Sequence, residues 1–209
     1  MKSSAGFTLA EILVVMAITA VIGTVLVTIF TNTLRGSNKS QILANIKQNG
    51  QAVLENMDKT IRGADNVVCV SFKTLLIEKD GCYTRYRFVE QNSTRNGQIQ
   101  QDHPQPDPNT PSPCIQNSPA PSPRNTPAFL NAVCPDADPL VSPKVLTDTN
   151  TQTGVSVSSS GFFTRIPQPE PGFKDSITIK FNLSPAIGAP AVLSSQIDPV
   201  SFETTIGLR

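Results

Sequence analysis

The chain has 209 residues, with 17 Lys and Arg against 16 Asp and Glu, a formal charge of +1, one histidine and 18 prolines. This near-neutral balance, without a dense basic run, leaves no electrostatic footprint for nucleic acid. With a single histidine, no Gly-x-Ser-x-Gly and no phosphate-cradling glycine loop, catalysis finds no foothold, and the chain reads as a non-enzyme without a cofactor.

It begins Met1-Lys-Ser-Ser-Ala-Gly6-Phe7-Thr-Leu-Ala-Glu11 and continues in apolar residues to Phe30. Across the 24 residues from Phe7 to Phe30, Glu11 is the only charge. At about 1.5 Å per residue a helix of this length spans roughly 36 Å, more than a hydrocarbon core of about 30 Å. Its apolar residues fall on every face, as in a membrane span. A cleaved secretory signal fits less well, because its apolar region runs to about 7–15 residues and ends in a small-x-small site. Orientation follows from the polar mass after the span, which puts the amino terminus inside. A carboxylate at the bilayer centre costs on the order of 2.5–3.5 kcal/mol, so Glu11 calls for a role.

Gly6-Phe7-Thr-Leu-Ala-Glu11 ahead of an apolar helix resembles the processing signal of type IV pilins and pseudopilins, and the likeness extends over roughly residues 1–65. The resemblance implies that residues 1–6 are a leader, and that a prepilin peptidase cuts after Gly6 and methylates the new terminus at Phe7. It also implies a task for Glu11, the fifth residue of the processed chain: to neutralise the terminal amine of an adjoining subunit and so pin the register of stacked helices. The implied partners are the peptidase, other pilin or pseudopilin subunits, an assembly platform with its ATPase, and the inner membrane. Major subunits of the family often carry a helix-bending proline at the twenty-second processed position, where this chain has Thr28. That departure favours a minor subunit.

After the span (7–30), residues 31–65 continue in a helical pattern. Ile42, Leu43, Ile46, Val53, Leu54, Met57, Ile61 and Ala64 recur at three- and four-residue steps, the stripe of an amphipathic helix. Gly36 and Gly50 interrupt it, and each costs roughly 1 kcal/mol of helix propensity, so both are expected bends or frayed points. The apolar stripe is expected to pack on a β-rich head formed by residues 66–209.

Within that head, Val67–Phe72 alternates. Thr74–Lys79, Asp80-Gly81 and Cys82–Phe88 form the clearest hairpin signal, an Asp-Gly turn between two β-rich runs. Thr153–Ser158, Phe162–Ile166, Asp175–Leu183 and Val200–Leu208 are further strands, with Ile177, Ile179, Phe181 and Leu183 sharing one face. The fold class is therefore α+β: a long N-terminal helix, membrane-spanning in its first half and amphipathic in its second, on an antiparallel sheet. The hairpin and the terminal Phe202–Arg209 run resemble the larger minor-pilin heads of the J or W type.

Twelve of the eighteen prolines fall between His103 and Lys144, so residues 103–143 are expected to be an irregular or polyproline-like surface loop decorating one domain. Four cysteines, Cys69, Cys82, Cys114 and Cys134, in an exported head point to disulfides, with three connectivities open. Zinc is disfavoured because there is no Cys-x-x-Cys pair and only His103 as an imidazole ligand. Asp136, Asp138 and Asp148 lack a calcium-loop spacing. Two functions fit: a structural, minor subunit of a type IV pilus or type II secretion pseudopilus, or a single-pass anchored adhesin or ligand-binding module. Glu11 and the Gly6-Phe7 junction favour the first, at the inner membrane and then in an extracytoplasmic filament.

Overall fold

The computed structural model describes residues 8–104, 142–159, 161–167, 174–190, 194 and 196–208. Residues 1–41 and 42–209 form two compact units. One helix, α1 (Leu9–Arg62), runs through the boundary without interruption. Gly36 and Gly50, expected as bends or frayed points, both lie within this helix. In the second unit α1 buries Ile46, Val53, Met57 and Ile61 of the amphipathic stripe, and with them Gly50.

Among the described residues nine strands follow: β1 (Asn66–Val70), β2 (Thr74–Lys79), β3 (Cys82–Val89), β4 (Gln98–Asp102), β5 (Lys144–Val145), β6 (Val155–Ser158), β7 (Phe163–Ile166), β8 (Ser176–Pro185) and β9 (Val200–Gly207). They form two antiparallel sheets where the sequence pattern led us to expect one. The first runs in the order β1-β2-β3-β4-β5. In the second, β8 is the spine: β6 and β7 pair with successive stretches of it, and β9 pairs along it from Ser176↔Gly207 to Leu183↔Val200. Asp80 (φ 50°) and Gly81 (φ 78°) both adopt the left-handed conformation that a two-residue hairpin turn requires, linking β2 to β3 through Lys79↔Cys82. Strands β4 and β5 were not expected. Gln98-Ile-Gln-Gln-Asp102 has one apolar residue, and its place in the sheet depends on a polar pairing described below.

The core joins α1 to both sheets through Leu75, Ile77, Tyr86, Phe88 and Ile99 of the first and Val155, Val157, Ile177, Ile179, Phe181 and Leu183 of the second. An aromatic series runs through it: Phe88 stacks on Phe162 at 5.5 Å, Phe162 on Phe181 at 5.4 Å, and Phe181 on its cross-strand partner Phe202 at 5.3 Å. Parallel offset rings at this spacing add attraction beyond their buried area. The two sheets are latched where β4 begins. Val157 N–H donates to the Gly97 carbonyl at 2.9 Å, and Gly97 N–H donates to Ser156 Oγ at 3.0 Å. A Cβ at Gly97 would overlap the Val157 carbonyl, so only glycine allows this approach. Beside it, buried Asn96 donates to the Asn150 carbonyl at 2.9 Å and accepts from Ile187 N–H at 2.9 Å. One side-chain amide thereby joins three segments.

The first sheet has a second, polar face. Arg85 Nε donates to Asp102 Oδ1 at 2.9 Å and its terminal nitrogen to Oδ2 at 2.6 Å, a bidentate ion pair between directly opposed residues. Both side chains are fully buried. Tyr86 points the other way, into the core, and its hydroxyl donates towards Asn56 Oδ1 of α1 at 3.5 Å. Burial pushes the Tyr86 phenol up to about 12, with a hydrogen bond to Thr60 pulling in the opposite direction.

Candidate functional site

Of the residues singled out at the amino terminus, Glu11 is described and lies in the first turn of α1. Gly6 and Phe7, the expected cleavage and methylation pair, lie outside the described residues. Thr8 and Glu11 are described and bonded to each other. The Thr8 backbone N–H and hydroxyl donate to Glu11 Oε2 at 2.9 and 3.0 Å, and the Glu11 N–H donates to Thr8 Oγ1 at 3.3 Å. This is a capping box: residue and partner three positions on satisfy each other's orphan backbone donors at a helix start. Its sequence signature is Thr8-Leu9-Ala10-Glu11. A negative carboxylate there also meets the positive end of the helix dipole.

The capping box leaves Glu11 with unused capacity. An ionised carboxylate offers about four lone-pair sites. Two donors converge on Oε2, and Glu11 is exposed. A cationic donor from outside this chain can therefore reach the group without first unmaking the helix start.

From Leu9 to Phe30 every large apolar side chain is exposed, with Leu9 at 77%, Met16 at 65% and Phe30 at 65%. Such a surface far exceeds the few hundred Å² of contiguous apolar patch that a soluble monomer carries, so it requires lipid or other protein around it. The helix is long and apolar enough to cross a membrane. Its hydroxyls are already satisfied internally. Thr19 donates to the Val15 carbonyl at 2.8 Å, Thr24 to Val21 at 2.8 Å, Thr28 to Thr24 at 2.8 Å and Thr31 to Val27 at 2.8 Å. In hydrocarbon, where no water can accept them, this back-bonding is what makes threonine tolerable. Thr28 itself lies within α1.

The cysteines divide. Cys114 and Cys134, with most of the proline-rich stretch, lie outside the described residues. Cys69 lies on β1 and Cys82 opens β3; neither is a free thiol. His103 follows β4, and its Nδ1 lies 3.3 Å from both Thr84 Oγ1 and the Tyr83 carbonyl. Asp136 and Asp138 are outside the described residues, while Asp148 Oδ1 accepts from Asn150 N–H at 3.0 Å. Among the described residues no cluster of His, Cys, Asp and Glu is arranged to hold a metal.

Compared with known families, residues 1–27 match the prokaryotic N-terminal methylation motif. This is the signal of type IV pilins and pseudopilins. No curated protein matches the chain, and no solved structure does.

Proposed function

We propose that this chain, bearing the N-terminal methylation signal at residues 1–27, is a minor structural subunit of a type IV pilus or a type II secretion-type pseudopilus. A prepilin peptidase removes residues 1–6 and methylates Phe7. The processed chain waits in the inner membrane through the apolar half of α1. An assembly platform and its ATPase then draw it into a filament, where that apolar surface packs on neighbouring subunits. The head contributes surface, and no catalytic step is assigned to it.

The observation that carries this reading is Glu11: the one charge in the span, held at the helix start by Thr8 and still able to accept another donor. A terminal ammonium at Phe7 of an adjoining subunit has the charge to complete it. Once two such charges are buried together, removing either leaves the other stranded at about 3–5 kcal/mol. The uninterrupted span, with Thr28 and no proline, favours a minor subunit over a fibre-building one.

Mass spectrometry of the amino-terminal peptide, from protein purified out of its native membrane, tests the processing. A chain starting at Phe7 with one added methyl is expected. An intact Met1 in cells with active prepilin peptidase would leave a plain membrane anchor, as in an adhesin or ligand-binding module. Glu11→Ala tests assembly: cleavage should persist while incorporation into sheared filaments falls sharply. Normal incorporation would remove the charge-pairing account.

A further inference from the structure

The β3–β4 hairpin ends in residues 90–97, the loop between Val89 and Gln98. Its base is fastened. Ser156 Oγ donates to Gln91 Oε1 at 2.8 Å, and buried Asn96 ties in two further segments. Its tip, Asn92-Ser93-Thr94-Arg95, is exposed and closes on itself, with Asn92 N–H donating to the Arg95 carbonyl at 3.0 Å. Within this turn the Asn92 side chain has one defined orientation. Thr94 N–H donates to Asn92 Oδ1 at 2.9 Å, and Thr94 Oγ1 donates to the same oxygen at 3.1 Å. A backbone N–H can only donate, so the carboxamide oxygen faces the turn. The carboxamide is planar, so Nδ2 is carried to the side away from both donors. This is an Asx turn reinforced by a hydroxyl two residues on. Two donors on Oδ1 also stabilise the charge that gathers there when Nδ2 gives up a proton, the change that makes a carboxamide nucleophilic.

Asn92-Ser93-Thr94 is also Asn-x-Thr, the acceptor sequence for an N-linked sugar on a surface loop. Asn38-Lys39-Ser40 and Asn182-Leu183-Ser184 share that pattern, and the structure separates them from Asn92. Asn38 lies within α1, where residues two apart do not face each other. Asn182 lies inside β8, between β6 and β9. Its Oδ1 accepts from Ser201 Oγ at 2.6 Å, while Ser184 Oγ donates to the Ser156 carbonyl at 3.3 Å, so amide and hydroxyl are engaged elsewhere. Asn92 differs in a further way. Two residues before it stands Glu90, where Asn38 has Gly36 and Asn182 has Lys180. Glu90 is exposed and pairs with Lys73 at 2.9 Å. A surface pair of this kind is worth about 0–1 kcal/mol, so the carboxylate is readily exchanged to a cationic side chain of a modifying enzyme, which fixes the register of the acceptor.

We propose that Asn92 is the acceptor of an N-linked glycan, transferred outside the cytoplasm from a polyprenyl-diphosphate-linked oligosaccharide by a membrane oligosaccharyltransferase. This rests on the reading above that the head leaves the cytoplasm. In the step, Asn92 Nδ2 bonds to the anomeric carbon of the first sugar. The bond from that carbon to the diphosphate oxygen breaks, and the lipid diphosphate leaves with the electron pair. One amide proton passes to a base of the transferase. Thr94 holds the carboxamide through Oδ1, and the fastened loop base presents the turn on a head that is already folded.

The full chain, purified from its native membrane, reports the site directly. Cleavage after Lys and Arg isolates Asn92 in peptide 88–95, Asn38 in 36–39 and Asn182 in 181–209. Electron-transfer fragmentation should place a sugar mass on Asn92 in 88–95, with none in the other two. In the same cells, and with native circular dichroism, Thr94→Val keeps the shape of the side chain without its hydroxyl and should abolish the modification. Thr94→Ser should retain it, and Glu90→Gln should lower occupancy several-fold. Unmodified 88–95 on a head that added protease digests in spheroplasts would overturn the acceptor and leave the export of the head standing. Unmodified 88–95 on a head shielded from that protease would overturn both. A sugar on the oxygen of Ser93 or Thr94, or full occupancy in Thr94→Val, would also overturn the proposal.

Discussion

Gly50 of α1 lies against the ring of Phe202 on β9 so closely that a Cβ at position 50 would sit inside that ring's van der Waals envelope. Phe202 in turn stacks on Phe181, so the missing side chain admits the end of the aromatic series that begins at Phe88. The glycine costs the helix about 1 kcal/mol relative to alanine and returns it as packing. Gly50→Ala should therefore destabilise the head despite its better propensity, since overpacking costs about 1–3 kcal/mol. The sign should reverse in a Phe202→Ala background, where Gly50→Ala becomes stabilising by up to about 1 kcal/mol. Thermal melts of the four full-length chains in detergent close this cycle. Equal effects in both backgrounds would mean that Gly50 and Phe202 are not coupled.

Tyr86 makes the stability of the head depend on alkaline pH. Its phenol is raised by burial from 10.0 to about 12, so the unfolded chain releases this proton first. Above the unfolded value the native state binds more protons than the unfolded one, and stability falls as pH rises towards the folded value. Between pH 10 and 12 the loss from this one group approaches about 2–3 kcal/mol, and below pH 10 it contributes no slope. Tyr86→Phe should flatten that part of the pH–stability curve while lowering stability at neutral pH by no more than its hydroxyl's Asn56 and Thr60 contacts. A variant as steep as the parent above pH 10 would assign the alkaline slope to other groups.

Elements whose burial follows apolar alternation were legible in the sequence. Ile177, Ile179, Phe181 and Leu183 are all fully buried on β8, and the Asp80-Gly81 turn closes the β2–β3 hairpin. What alternation cannot specify is which strand pairs with which, so the division into two sheets around β8 was hidden. Strand β4 was hidden for a different reason: its buried residues include Asp102, whose burial makes sense only once Arg85 is found opposite it. Gly50 carried the wrong meaning, because a helical glycine reads as a weakness until the ring of Phe202 is seen against it. At the amino terminus the lone charge of Glu11 was plain, and its bond to Thr8 needed only the Thr-x-x-Glu spacing to be noticed.

The Arg85–Asp102 pair tests how much of the first sheet rests on charge. Its two side chains are 1% and 0% exposed and meet through both carboxylate oxygens. Taking two ions out of water is expensive, and their attraction repays it only while both are present. Asp102→Ala should therefore cost about 3–5 kcal/mol, well beyond a surface pair such as Lys180–Glu203, whose loss should cost less than about 1 kcal/mol. Replacing both partners at once, Arg85→Met with Asp102→Leu, should cost much less than Asp102→Ala alone, because no stranded charge remains. Denaturant unfolding followed by near-ultraviolet circular dichroism ranks the three variants. A double variant as unstable as the sum of its single changes would mean that the pair contributes through independent contacts, and that β4 is held to β3 by something other than this ion pair.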